Sequence, residues 1–169
     1  MRVEGLKNLE MELSETPVKT ITSDVVLQET IAMLREGRRV VLPVKGNSMH
    51  PFIIGGIESV ELVKPQSPLK VGDVVLAHAN GTHYLIHRIS DIDGNRLNLL
   101  GDGNLREEHC LMDDVVALAE FVVNRNGNRR YLYTKKRQRR ARLWLKLLPI
   151  RRWLLAIYRR TLLKLNIHL

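Results

Sequence analysis

The sequence predicts a mainly β domain, β-rich α+β in class, preceded by one helix and followed by a basic amphipathic helical tail. Three observations predict it. From Arg39 to Tyr133, short Val-, Ile- and Leu-rich runs are cut by Gly, Pro and Asn about every 8–13 residues, the texture of an antiparallel domain. No strand–helix alternation of the kind a parallel sheet needs runs through the chain. After Glu120 there is no acidic residue, while 15 Lys and Arg lie between Asn124 and the C-terminus. An acidic body therefore gives way to a strongly cationic tail. The expected division is a segment with one helix over 1–38, a β domain over 39–134 and the tail over 135–169.

Taken in order, Ser23-Asp24 offers a cap for a helix running to about Glu36, and Gly37 stops it. Leu27, Ile31 and Leu34 recur at helical spacing and form its apolar stripe. Strands are expected near 39–45, 57–63, 73–78, 82–89, 96–100 and 115–123, with a last one near 130–134. Gly72-Asp73, Asn80-Gly81, Asp93-Gly94 and Asn126-Gly127 read as turns between them. The tail opens with KKRQRRAR at 135–142 and continues rich in Leu, Trp, Lys and Arg; Pro149 splits it into two helices.

Length and composition bound the function. A chain of 169 residues with 44% apolar content can bury one core of ordinary size. Its single cysteine, Cys110, forbids an intramolecular disulfide and suits a reducing compartment. MRVEGLKNLEMELSE carries no apolar run and no small-residue cleavage site, so no secretory signal is expected. No charge-free stretch reaches the length of a spanning helix. The expected location is the cytoplasm, at the inner face of a membrane.

The chemistry centres on Gly46-Asn47-Ser48-Met49-His50-Pro51, which joins the strand VVLPV to a break at Pro51. A serine at such a strand end can expose its hydroxyl and bring backbone N–H groups to a reacting carbonyl. It needs a neighbouring base. His87 lies in THYLIHRI, where alternation puts His83, Leu85 and His87 on one face and Tyr84, Ile86 and Arg88 on the other. On spacing alone, Ser48 reads as a turn serine and His87 as a half-buried strand residue just as readily.

Four motifs together narrow the choice: GNSMHPFI, KVGDVVLA, YLIHRI and LLGDGN, in that order over residues 40–105. This set resembles the signal peptidase family, and within it the endoplasmic-reticulum type, where histidine followed by arginine stands at the base position. The related LexA-like self-cleavage domains share the Ser-Met-x-Pro opening but use lysine. The resemblance implies a coiled β-sheet domain with Ser48 as nucleophile and His87 as general base. It implies an acidic third member: Asp102 is first choice, and Glu108, at the position of the family's later aspartate, is second. Gly46 stands where the family often has a hydroxyl residue, which removes a side-chain oxyanion donor. Gly46, Asn47, Met49 and Pro51 are the expected oxyanion and substrate-binding positions. A substrate bound as an added strand, with small side chains before the cleaved bond, is likewise an implication of the resemblance.

No cofactor is expected. His78, His83 and His87 lack the carboxylate or cysteine spacing that would complete a metal site. Cys110 beside His109 reads as a small core residue, because strand neighbours point to opposite faces. The tail reads best as an interfacial helix on an anionic membrane surface. Arg142, Trp144, Lys146, Arg151, Arg152, Trp153, Arg159 and Arg160 are the surface residues, and Tyr158 sits at headgroup level. Nucleic acid is disfavoured because its apolar residues are mostly leucines rather than stacking aromatics. A solvated charge run, or a helix docked on a partner or on its own domain, are the other readings. The partner expected at the site is a peptide or protein substrate. A catalytically inactive peptide-binding module and a self-cleaving regulator are the competing functions.

Overall fold

The computed structural model of the chain describes residues 18–166; the first 17 residues of the segment read as 1–38, and residues 167–169, lie outside the described part. The chain divides into two compact units, Met1–Ala32 and Met33–Leu169. The first is described as helix α1, Val18–Arg35, whose last turn belongs to the second unit. The helix already includes Val18–Thr22, ahead of the expected cap, so Ser23 and Asp24 lie inside it. Its end follows the expected chemistry. Gly37 takes φ +81°, with Gly37 N–H donating to Leu34 O and Arg38 N–H to Met33 O, both at 3.0 Å.

The second unit is a curled antiparallel sheet of eight strands. They are β1 Val40–Pro43, β2 Ser59–Val63, β3 Val74–Ala79, β4 His83–Asp93, β5 Arg96–Leu100, β6 Glu108–Leu111, β7 Val115–Val123 and β8 Arg129–Tyr131. Spatial order is β1-β2-β7-β3-β4-β5-β6, with β8 pairing β7 beyond the end of β3. Register shifts at Glu61/Leu62, Leu76/Ala77 and Ile89/Asp91 increase the local twist and bend the sheet. The strand β6 is absent from the sequence reading. Glu-His-Cys-Leu is short and half polar, and only its pairing with β5 defines it as a strand.

Both faces of the sheet are covered. Along β3, Val74 and Leu76 enter one apolar cluster with Leu34, Met49, Ile53 and Leu62, while Val75 and Ala77 enter a second with Ile89, Leu97, Leu99 and Cys110. This is why VVLA reads as a continuous apolar run rather than an alternating one. The tail forms α2, Lys135–Lys146, and α3, Leu148–Asn166, with Pro149 in the first turn of α3. Thr134 caps α2, its hydroxyl oxygen accepting from Arg137 N–H at 3.4 Å.

Candidate active site

The loop after β1 carries Ser48. Met49 is fully buried and joins the first core cluster, an anchor that contributes roughly 1.5–3 kcal/mol to holding the loop. Met49 is therefore a packing residue and does not face a substrate. His50 N–H donates to Asn47 O and Ile53 N–H to Met49 O, closing a tight turn around Ser48. Ser48 itself is half-buried, and Gly46 and Asn47 are exposed. Among the described residues the Ser48 N–H has no acceptor, so it can donate to a reacting carbonyl oxygen.

The Gly101–Asn104 loop, between β5 and β6, lies directly on this turn. Gly103 N–H donates to Ser48 O at 2.7 Å. A Cβ on Gly103 would meet Asn47 O at 2.5 Å, and one on Gly101 would meet Ser48 O at 2.5 Å and His87 Nε2 at 2.9 Å. Only glycine lets these backbones approach so closely. The Ser48 carbonyl oxygen and the Nε2 edge of His87 thus flank the same space beside the bare Cα of Gly101, which brings the Ser48 backbone close to the ring. Among the described residues no hydrogen bond joins the Ser48 hydroxyl to the ring, and such bonds commonly tighten only when substrate binds.

His87 is buried on β4. Its Nδ1 lies 3.0 Å from Glu108 Oε2, at an angle short of good hydrogen-bond geometry. Glu108 Oε1 lies 3.2 Å from His83 Nε2. Burial holds the His87 ring below its ordinary ionisation range. Glu108 and Asp102 pull the other way, and His83 adds to the lowering. The ring is neutral near pH 7, the form a general base requires.

Asp102, the first choice for the orienting carboxylate, is directed elsewhere. It is fully buried and accepts from Arg88 through Nε–H to Oδ1 at 2.9 Å and Nη2–H to Oδ2 at 2.7 Å. The pleat explains the division: Arg88 and His87 are successive residues of β4 and point to opposite faces. Two charge-assisted bonds occupy the carboxylate, which reaches the ring only through space. Glu107 faces Ser90, whose hydroxyl donates to it at 2.7 Å. Cys110 is a core residue, and burial pushes its thiol up to about 11, away from the thiolate form. No cluster of three or more His, Cys, Asp or Glu suited to a metal is present among the described residues.

The tail lies against the same loops. Trp144 Nε1–H donates to Asp102 O at 2.8 Å, and Arg151, fully buried, donates to Trp144 O at 2.7 Å and to Asn104 O at 3.5 Å. Tyr158 meets the His50 ring edge-on at 5.9 Å, and Arg159 donates to Gly103 O at 3.5 Å. Trp144 and Arg151, expected as membrane-surface residues, are turned inward. Their polar groups reach backbone carbonyls of the Gly101–Asn104 loop and of the tail itself, which solvent does not supply there.

His50 is also held below its ordinary range, first by burial and then by Arg159. Both rings take up a proton less readily when folded than in the unfolded chain, which binds protons near the usual histidine value of about 6.5. As pH falls below that value the unfolded state takes up more protons, so stability is lost on the acid side. The melting temperature is expected to fall steadily from pH 7 to pH 5, and to fall less steeply in His87→Gln.

A protein-family model described as Peptidase S24-like matches residues 10–118. The chain belongs to that family. No curated protein and no solved structure gives a significant match. Membership makes this a serine-peptidase-type domain, and the curled sheet is the architecture expected of it. The match ends inside β7, so β8 and both tail helices of this S24-like protein lie beyond it.

Proposed function

We propose that this protein is a serine endopeptidase of the signal-peptidase-like Ser/His type, with Ser48 as nucleophile, His87 as base and Glu108 as the orienting carboxylate. The observation that carries this reading is the approach of the Ser48 backbone to His87 Nε2 across Gly101, with Glu108 at the far nitrogen. His87 Nε2 takes the Ser48 proton as Oγ bonds the peptide carbonyl carbon, and the oxyanion accepts from the Ser48 N–H. The C–N bond breaks as the imidazolium protonates the leaving amine. Water, deprotonated by His87, then attacks the acyl carbon, and Ser48 recovers its proton as the ester bond breaks. A serine-reactive electrophile should leave an adduct on Ser48 detectable by mass spectrometry, and its absence at saturating probe would favour a binding module instead.

The site works, in this reading, at an anionic membrane surface. Support comes from the outer face of the tail. Trp153 and Ile157 are 65% and 60% exposed and lie one turn apart, with Ile150 and Leu143 also exposed. Arg142, Lys146, Arg152 and Arg160 are exposed on the same two helices. Large apolar groups beside cations are what an interfacial helix presents to lipid headgroups. No described helix is long and apolar enough to cross a membrane. The full chain is expected to float with vesicles containing anionic lipid and not with neutral ones. A Trp153→Ser/Ile157→Ser double variant should bind roughly 10-fold less tightly. Equal flotation of that variant, or preference for DNA at the same salt concentration, would remove the membrane from the proposal.

A further inference from the structure

We infer that His83 is a positioning residue that shares Glu108 with His87 and thereby sets the pH range in which the base operates. The inference rests on the Ser48–His87 reading. Its geometry does not: one carboxylate spans two histidines of the same strand face, giving Oε1 to His83 Nε2 at 3.2 Å and Oε2 to His87 Nδ1 at 3.0 Å. The two rings differ in access. The His83 side chain is half-exposed to water, whereas the His87 side chain is buried.

Thr82 completes the arrangement. Its hydroxyl oxygen lies 2.7 Å from His83 Nδ1 and 3.3 Å from Ala79 O. With neutral His83, the hydroxyl donates to Nδ1 and the ring donates Nε2–H to Glu108. With cationic His83, Nδ1–H donates to the hydroxyl oxygen, the hydroxyl turns to Ala79 O, and Nε2–H still donates to Glu108. Proton uptake at His83 therefore needs only a hydroxyl rotation and breaks no contact with Glu108. The same uptake draws on the one carboxylate at Nδ1 of His87, so a catalytic imidazolium is less stabilised. The charged or titratable groups facing His87 are Glu108 from β6, Asp102 from the loop before it, paired with Arg88, and His83 from its own strand. His83 faces Glu108 and the Thr82 hydroxyl. The two rings should thus titrate as a pair and not singly.

Proton NMR of the imidazole resonances in the full chain tests this directly. In the wild type the His87 resonance should follow two coupled steps. In His83→Gln, whose amide can still donate to Glu108, it should follow one step with its midpoint moved to higher pH. In step with this, probe labelling of Ser48 in His83→Gln should be about 3-fold slower or more near pH 5.5, and within about 2-fold of wild type near pH 8. His83→Ala should be slower at both, because nothing then holds Glu108 in place. A His87 titration that superimposes in wild type and His83→Gln would overturn the inference. Coupled rings without any labelling of Ser48 would uphold the shared carboxylate and remove the peptidase reading. Labelling with uncoupled rings would do the reverse.

Discussion

The Ser48→Ala variant should fold as the wild type does and lose peptide-bond cleavage by about 10⁴-fold or more. Removing the half-buried hydroxyl, which takes no part in a hydrogen bond among the described residues, should change stability by no more than about 0.5 kcal/mol. The loss of rate is large because acyl transfer needs the atom that is gone. The neighbouring N–H groups can still polarise a carbonyl, but water would then have to attack unaided. The measurement is a panel of unstructured peptides, with small residues at several positions, followed by mass spectrometry with wild type and variant at equal concentration. His87→Gln should approach the same loss, since nucleophile and base act as one unit and their effects do not add. If the serine variant cuts the same bonds at the same rate, the nucleophile lies elsewhere. Cleavage of the chain's own polypeptide that vanishes with Ser48→Ala would favour the self-cleaving alternative.

How far the sequence could be read varies with how local the cause is. Gly37, Gly72, Asn80 and Gly127 all take positive φ at positions where composition alone signalled a stop or a turn. Apolar runs located β1 to β5 and β7 because a strand buried on one or both faces writes its burial into its own residues. The start of α1 was misplaced because a Ser-Asp pair caps a helix only if the preceding residues leave helical geometry, and Val18–Thr22 do not. The strand β6 was illegible because pairing with β5 creates it.

The site divides along the same line. The motif order implies a Ser48–His87 pair; what brings the Ser48 backbone near the ring is a pair of glycines, Gly101 and Gly103, that let two loops touch. The GDGN segment does announce such a contact, and its acid drew attention. Which carboxylate lies beside the ring was not legible there, because the answer depends on which face of β4 each acid meets. Glu108 reaches His87 across the sheet, and Asp102 meets Arg88 on the reverse side. The tail shows the same limit. Trp144, Arg151, Tyr158 and Arg159 all read as groups for a membrane surface, and the fold turns them toward the Ser48 turn and the Gly101–Asn104 loop beside it. Trp153 and Ile157 are left outward.

Asp102 should prove to be a stability residue and Glu108 a rate residue. Arg88 and Asp102 are both buried, joined by two bonds, and Arg88 Nη1–H also donates to Gly72 O at 2.8 Å. Asp102→Ala strands a guanidinium away from water, at a cost of about 3–5 kcal/mol. That is a large share of the roughly 5–15 kcal/mol by which a domain of this size is stable. Asp102→Asn keeps the shape but turns an amide N–H₂ or a single carbonyl toward a fork built for two acceptors, so it should cost somewhat less. The double variant Arg88→Met/Asp102→Leu removes both charges and should recover much of the loss, which a chemical denaturation cycle over wild type, Arg88→Met, Asp102→Leu and the double variant would measure. In the folded fraction of Asp102→Asn, probe labelling of Ser48 should stay within about 10-fold of wild type, because the carboxylate does not hold the ring. Glu108→Gln should behave in the opposite sense, with little change in denaturation midpoint and labelling slower by about 10²-fold or more, since an amide can present the wrong partner to Nδ1. Should Asp102→Asn instead leave stability intact and abolish labelling, the acid on the far side of β4 would be the one that orients His87, and the assignment of Glu108 would fall with the geometry on which it rests.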